Sequence, residues 1–158
     1  MDAIEQLCAR SRQHRELRAF QDFHQTNPHV LDFLVREIKL RIDSGFEAFS
    51  FGSLWEYARW KLQVPRRQNT FLMNDHLTPF YARAIVILHP EFNGRAECRG
   101  SLADEIFGLQ LEPLKNRRKG YARRLQWRDG TPLDRGWRPS VPHTVQHLAA
   151  TKADIHVR

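Results

Sequence analysis

The sequence predicts a mainly α-helical fold with one small β-hairpin, followed by a basic tail. Apolar side chains recur at helical spacing in several segments before residue 113. Asn93-Gly94 is the dipeptide most typical of a tight hairpin turn. Beyond Pro113 the helical spacing is lost, and Trp, Arg, Gly and Pro are mixed without a period. We therefore divide the chain into a domain over 1–112 and a tail over 113–158, which we expect to be extended or disordered.

Two helical regions are predicted before residue 46. Residues 2–24 place apolar side chains around a very polar middle, which fits one partly exposed helix or two shorter ones. Asn27-Pro28 then marks a helix start, because Asn can cap free N–H groups and Pro suits the first helical position. Gly45 ends this helix. Its predicted apolar stripe consists of Leu31, Leu34, Val35, Ile38 and Ile42.

A short strand and another helix are predicted over residues 46–63. The segment 46–51 alternates imperfectly between apolar and polar side chains, as a short strand does. Ser53 is placed to cap a helix that runs to about Gln63. Three large aromatic residues of this helix cannot all face inward, so we expect one on the surface; they are Trp55, Tyr57 and Trp60.

The following helix begins at about Asp75 or Thr78 and ends at Leu88, before His89-Pro90. Its predicted buried stripe is Phe80, Ala84, Ile87 and Leu88.

The Asn-Gly turn would then join residues 91–92 to residues 95–96 as a hairpin. One more short helix is predicted to begin at Ser101, with Asp104 or Glu105 completing a capping box.

The predicted order of helix, strand, helix, loop, helix and hairpin is that of a winged helix-turn-helix domain. In that fold the third helix enters the major groove of duplex DNA, and the hairpin, or wing, contacts the backbone or the minor groove. The helix that ends at Leu88 would then contact base edges. The predicted base contacts are Asn74, His76, Thr78 and Arg83. A helical domain without a nucleic-acid role fits the same elements.

The net charge of +7 is concentrated in the predicted tail. Residues 113–158 have eleven Lys or Arg against three Asp, whereas residues 1–112 have 14 basic and 15 acidic side chains. Lys and Arg release counterions from a phosphate backbone, so this distribution favours contact with nucleic acid over a tail that only aids solubility. The predicted phosphate contacts are Arg66, Arg67, Arg95, Arg99, Lys115, Arg117, Arg118, Lys119, Arg123 and Arg124.

Duplex DNA is the partner that the winged-helix order favours, and RNA stays open because its phosphates attract the same cations. Trp127 and Trp137 stand among the arginines of the tail. Such a mixture is typical of proteins that stack the bases of single strands. The alternative is that one of the two Trp side chains folds back onto the domain and anchors the tail.

Several short motifs lie between residues 20 and 99: Phe23-His24, Asn27-Pro28-His29-Val30, Asn74, Tyr81-Ala82-Arg83 and His89-Pro90-Glu91-Phe92. Together they resemble a group of small uncharacterised phage and prophage proteins. The group usually has an Asn-rich run where this chain has Asn74-Asp75-His76. The resemblance implies a phage-associated origin and little chemistry.

No motif of a phosphate-binding loop, a dinucleotide fold or a hydrolase nucleophile occurs in the sequence. The histidines lack metal-ligand spacing, and Cys8 and Cys98 form no C-x-x-C pair. We therefore predict a non-enzymatic protein with no cofactor and no metal site.

The first residues lack the pattern of a secretory signal, and the longest apolar run, Ala84 to Leu88, is too short to cross a bilayer. We expect a cytoplasmic DNA-binding protein without membrane contact. The alternative function is a phage-encoded interaction module that binds a host or phage protein through a surface at Trp55 and Trp60.

Overall fold

The computed structural model describes Ile4, Cys8 and residues 14–63, 71–97, 99–112 and 124–133. Its helices with both ends in these ranges are α1 (Arg15–Thr26), α2 (His29–Asp43), α3 (Phe51–Leu62), α4 (Thr78–Leu88) and α5 (Leu102–Phe107). Two 3₁₀-helices, Asp75–Leu77 and Pro90–Phe92, flank α4. The described strands are β1 (Phe49–Ser50), β2 (Ala96–Glu97), β3 (Leu109–Leu111) and β4 (Leu125–Trp127).

The centre of the domain is α4, which packs against α2, α3 and α5. Every side chain from Phe80 to Ile87 is buried. Its sequence is apolar on nearly all sides, and such a helix is stable only when it is enclosed. The predicted boundaries are confirmed, but the helix lacks the exposed face that a one-sided stripe implies. None of the described helices has the length and apolar character needed to cross a membrane.

The junction of α1 and α2 depends on Asn27, in a different way from the prediction. The Asn27 side chain donates to the carbonyl of Phe23 at 3.0 Å, and its backbone N–H donates to the same carbonyl at 2.9 Å. Asn27 therefore closes α1 and does not cap α2 with its side chain. Gly45 follows α2 with a φ of 90°, which only glycine adopts without strain, so the predicted end is confirmed.

The cap of α3 is Ser50, three residues before the predicted Ser53. The hydroxyl of Ser50 accepts from the Ser53 N–H at 3.4 Å, so the serine that was predicted to accept is the donor. The start moves because Phe51 and Leu54 are both buried, and the helix must include both to place them in the core.

The predicted hairpin at Asn93-Gly94 is wrong, although Gly94 does turn the chain with a φ of 82°. Residues before the turn form a 3₁₀-helix, and the strand after it, β2, pairs in parallel with β1. The antiparallel pair lies further along the chain, where β3 pairs with β4. The fold is mainly helical with a small antiparallel sheet, as predicted, but that sheet stands elsewhere in the chain.

Part of the predicted tail belongs to the domain. Leu125 and Leu133 are buried in the same core as the helices, and Trp127 packs against it from β4. Residues 124–133 are therefore not an extended tail, and Trp127 anchors this segment, as one of the two alternatives proposed. The remaining residues of 113–158, including Trp137, lie outside the described part of the chain.

A buried ion pair joins α4 to α5. The Nε of Arg83 donates to Oδ1 of Asp104 at 2.7 Å, and its Nη2 donates to Oδ2 at 3.0 Å and also to the carbonyl of Arg99. Asp104 also accepts the N–H of Ser101 at 2.8 Å, which is the predicted capping-box bond. Burial of a guanidinium is tolerated because each charge has its partner.

We expect Asp104→Asn to lower the free energy of unfolding by about 3 kcal/mol, because it leaves the buried Arg83 without an opposite charge. The amide can still accept from Ser101. The double variant Arg83→Met, Asp104→Asn should lose less, since it leaves no unpaired charge. Urea unfolding measures both. The double variant could lose as much free energy of unfolding as Asp104→Asn and Arg83→Met lose when their separate losses are added. That result would show that the ion pair is not the reason for the loss.

Candidate nucleic-acid interface

The predicted base contacts before α4 lie in a turn that α3 holds in place. Asn74 and His76 are exposed, and the Asn74 Oδ1 accepts the His76 N–H at 3.1 Å. Thr78 is half-buried at the first position of α4. Asn74 and His76 therefore remain accessible to a ligand, while the helix that follows them is enclosed.

The turn is fixed mainly by Arg59. Its Nε donates to the carbonyl of Met73 at 3.0 Å, and its other nitrogens pair with Glu56 and with Asp75. The carboxylate of Asp75 would by itself repel a phosphate. Its pairing with Arg59 offsets that charge at the start of α4.

The prediction that Arg83 contacts bases is wrong. Arg83 is 3 % exposed, and its guanidinium is occupied by Asp104 and by the carbonyl of Arg99. Since every side chain from Phe80 to Ile87 is buried, this part of α4 presents no side chain to a groove of DNA in this fold. The polar appearance of Arg83 reflects a buried ion pair.

The predicted contacts Arg95 and Arg124 lie beyond the opposite end of α4. An eleven-residue helix is about 16 Å long, so they form no single site with Asn74 and His76. They line an open cleft of about 500 Å³, together with Glu91 and Glu112. Two arginines and two glutamates give this cleft a mixed charge. Arg99 is exposed, and its carbonyl accepts from Arg83.

The wall of this cleft is built by Asn93 and Gly94. Asn93 donates from Nδ2 to the carbonyl of Leu125 at 2.8 Å and accepts the Leu125 N–H on Oδ1 at 2.9 Å. The Asn93 amide thus makes the two hydrogen bonds to the Leu125 backbone that a neighbouring strand would otherwise make. Arg124 runs across Gly94, where a Cβ would stand 3.0 Å from the Arg124 Cγ. The φ of 82° favours glycine here, and a Cβ would in addition make the Arg124 side chain shift.

The strands β3 and β4 bring the two ends of the most basic stretch of sequence together. Glu112 donates its N–H to the carbonyl of Arg124 at 2.8 Å, directly after the pairing of Leu111 with Leu125. Residues 113–123 between them contain five Lys or Arg and no Asp or Glu. The predicted phosphate contacts outside the described residues are Arg66, Arg67, Lys115, Arg117, Arg118, Lys119 and Arg123.

Of the two residues of the predicted surface, Trp60 is exposed and Trp55 is buried. Trp55 is 1 % exposed and packs on Tyr81, with 5.4 Å between the ring centroids, whereas Trp60 is 66 % exposed. Five helical positions turn the side chain by about 500°, so the two indoles differ by about 140° around α3. Leu54 and Ala58 define the buried side of α3, and the angle of each Trp from that side could have shown which of the two is buried.

The described residues contain no group of three or more His, Cys, Asp or Glu side chains that could hold a metal ion. The buried His24 lies 3.3 Å from the Tyr81 hydroxyl within the aromatic core. His89 lies at the end of α4, with its Nδ1 3.4 Å from Glu91 and its ring stacked on Phe92. Comparisons with protein-family models, curated proteins and solved structures found no match.

We expect Asn93→Ala to detach β4 locally, because two backbone groups of Leu125 would lose their partners at once. Each unsatisfied buried group costs about 1–3 kcal/mol. Amide hydrogen exchange at Leu125 should accelerate, while exchange at Ile85 in α4 should follow only the global stability. Equal acceleration at both amides would contradict a local role for Asn93.

Partial burial lowers the pKa of His89 below its ordinary value, and Lys39 acts in the same direction against the opposite effect of Glu91. The folded state then favours neutral imidazole. Its contribution to stability should be present above the unfolded pKa of about 6.5 and be lost as the pH falls through the lower folded pKa. His89→Gln should remove this dependence. An NMR titration that gives His89 a raised pKa would overturn the assignment.

Proposed function

We propose that this protein binds nucleic acid through the phosphate backbone, using the basic stretch that joins β3 to β4. The observation that carries the proposal is the hydrogen bond from Glu112 to Arg124, which holds the two ends of that stretch side by side. The stretch itself is 113–123 in the sequence, with five positive charges in eleven residues.

A cationic segment with both ends attached to a sheet is better suited to binding than a free tail. Attachment at both ends reduces the number of conformations that the segment can adopt. The segment therefore loses less conformational entropy when it binds. It also concentrates charge next to Arg124, which is itself exposed at the base of the stretch. These side chains displace the counterions condensed on a phosphate backbone, and the release of those counterions supplies the favourable free energy of binding.

Nucleic acid remains the proposed partner, as predicted, but the binding surface is now the basic stretch and no longer the helix α4. The enclosed part of α4 has no role in it, and Asn74 and His76 precede that helix, whereas Arg124 lies in the cleft beyond its other end. Binding would therefore depend on charge more than on base sequence. Duplex DNA stays the first partner to test, in a phage-associated setting that follows from the resemblance of the motifs.

A protein-interaction module is the second candidate, and the exposure of Trp60 favours it because large aromatic side chains are enriched at protein interfaces. In that case Trp60→Ala would abolish binding to a purified protein partner and leave the affinity for nucleic acid unchanged.

We expect the triple variant Arg117→Gln, Arg118→Gln, Lys119→Gln to weaken binding to all duplex sequences alike. Its plot of log affinity against log salt should flatten by up to about three units, roughly one for each lost phosphate contact. Fluorescence anisotropy with the full-length protein across a salt series measures the slope.

The matched control is Arg15→Gln, Lys39→Gln, Arg41→Gln. It also removes three positive charges, but from α1 and α2. Its slope should stay near that of the original protein. Equal flattening in both variants would assign the effect to net charge alone. An unchanged slope in the first variant would remove the stretch from the mechanism.

A further inference from the structure

The outer face of α3 has two aromatic rings between two opposite charges. We define it by four exposed residues: Glu56, Tyr57, Trp60 and Lys61. A helix turns by about 100° per residue, so the four side chains lie within about 140° of its circumference, opposite the buried side chains of α3. In order around the helix they are Glu56, Trp60, Tyr57 and Lys61. The rings therefore stand in the middle of the face and the charges at its edges.

The two rings leave a large apolar area in water. Trp60 is 66 % exposed and Tyr57 is 38 % exposed. A buried aromatic side chain removes about 150–250 Å² from water, so covering these two rings would remove about 200 Å² more than the fold already does. Adjoining exposed rings are typical of contact surfaces, at which aromatic side chains are enriched.

The charges at the two edges cancel in number but stand apart. Arg59 is shared between Glu56, at 2.8 Å, and Asp75, so these two carboxylates keep one uncompensated negative charge. Lys61 has no carboxylate partner among the described residues, and its Nζ lies 5.6 Å from the Tyr57 centroid. A partner with charge of one sign would be attracted at one edge and repelled at the other. A partner with a positive charge facing the first edge and a negative charge facing the second fits both.

A second copy of this chain has that arrangement when its α3 runs parallel to the first. A two-fold axis parallel to the helices brings each edge of one copy to the other edge of its partner, so Glu56 lies beside Lys61 of the partner subunit, twice. Parallel coiled coils form their interhelical ion pairs between edge positions in the same way. The Lys61 side chain lies back over Tyr57, one turn earlier, which brings its ammonium towards the level of Glu56. An antiparallel pair would instead place like charges beside each other.

We propose that two copies of this protein associate through the outer faces of α3 as a parallel pair. The rings of Tyr57 and Trp60 pack at the centre, and Glu56 pairs with Lys61 of the partner subunit on both sides. The rings of two copies contribute about 400 Å², which is well below the area of a standard interface, so the dimer is weak and reversible. This inference goes beyond the proposed function, and its test contains no nucleic acid.

Sedimentation equilibrium of the full-length protein, from about 1 μM to about 1 mM, measures the association. The original protein should show an equilibrium between monomer and dimer. Trp60→Ala should weaken the association by about tenfold, because a few central aromatic side chains supply most of the binding at such contacts. Phe46→Ala is the matched control. It removes an aromatic side chain that is 61 % exposed outside this face, and it should leave the equilibrium unchanged.

Charge reversal tests the orientation of the two helices. Glu56→Lys alone and Lys61→Glu alone should each weaken self-association by about tenfold, because each places like charges at both edges. An equimolar mixture of these two variants should recover the association, since every lysine then meets a glutamate of the other variant. The double variant Glu56→Lys, Lys61→Glu should also associate like the original protein. Lys39→Glu and Glu47→Lys are the controls, since they reverse exposed charges outside the face and should change nothing.

A protein that stays monomeric up to the highest concentration would overturn the proposal, and the face would then belong to a different partner. A dimer that is unchanged in Trp60→Ala and in both single charge variants would form through another surface, which also overturns it. An antiparallel pair predicts a third pattern. Its single charge variants would associate as well as the original protein, and their mixture would associate more tightly. That pattern would overturn the parallel arrangement.

Discussion

The pairing of Arg83 with Asp104 is the constraint on which the described fold depends. It places a full positive charge inside the most enclosed helix, where an unpaired guanidinium would be strongly unfavourable. Asp104 must therefore stay at one position, and it also fixes Ser101 at the start of α5. The chain leaves α5 through Gly108 directly into β3, so the ion pair sets where the antiparallel sheet begins.

The two ends of α4 are separated by the length of the helix, about 16 Å for eleven residues. At the first end, Arg59 holds the turn that exposes Asn74 and His76, and at the last end Asn93 holds β4. Neither end depends on the other for its hydrogen bonds. Charge at the β4 end and aromatic exposure on α3 are therefore distinct features of one rigid core, and each can be altered without rebuilding it.

Local patterns predicted the helices well because helix formation follows spacing that is visible in the sequence. The spacing gave α2, α3 and α4 nearly at their observed bounds. It could not show that α4 is enclosed, since Arg83 looks like an exposed polar residue until Asp104, 21 positions later, is placed beside it. The Asn-Gly turn was likewise read from local preference, although β2 finds its partner in β1, far back in the chain. The base-contact assignment failed for the same reason, because burial is decided by contacts distant in sequence.

The adjacent ends also bear on the connection between them. Because β3 and β4 are joined at Glu112 and Arg124, the loop-closure cost of the chain between them rises by only about 0.6 kcal/mol for each doubling of its length. An insertion at this point of the chain would therefore add little to the part of the folding cost that comes from loop closure.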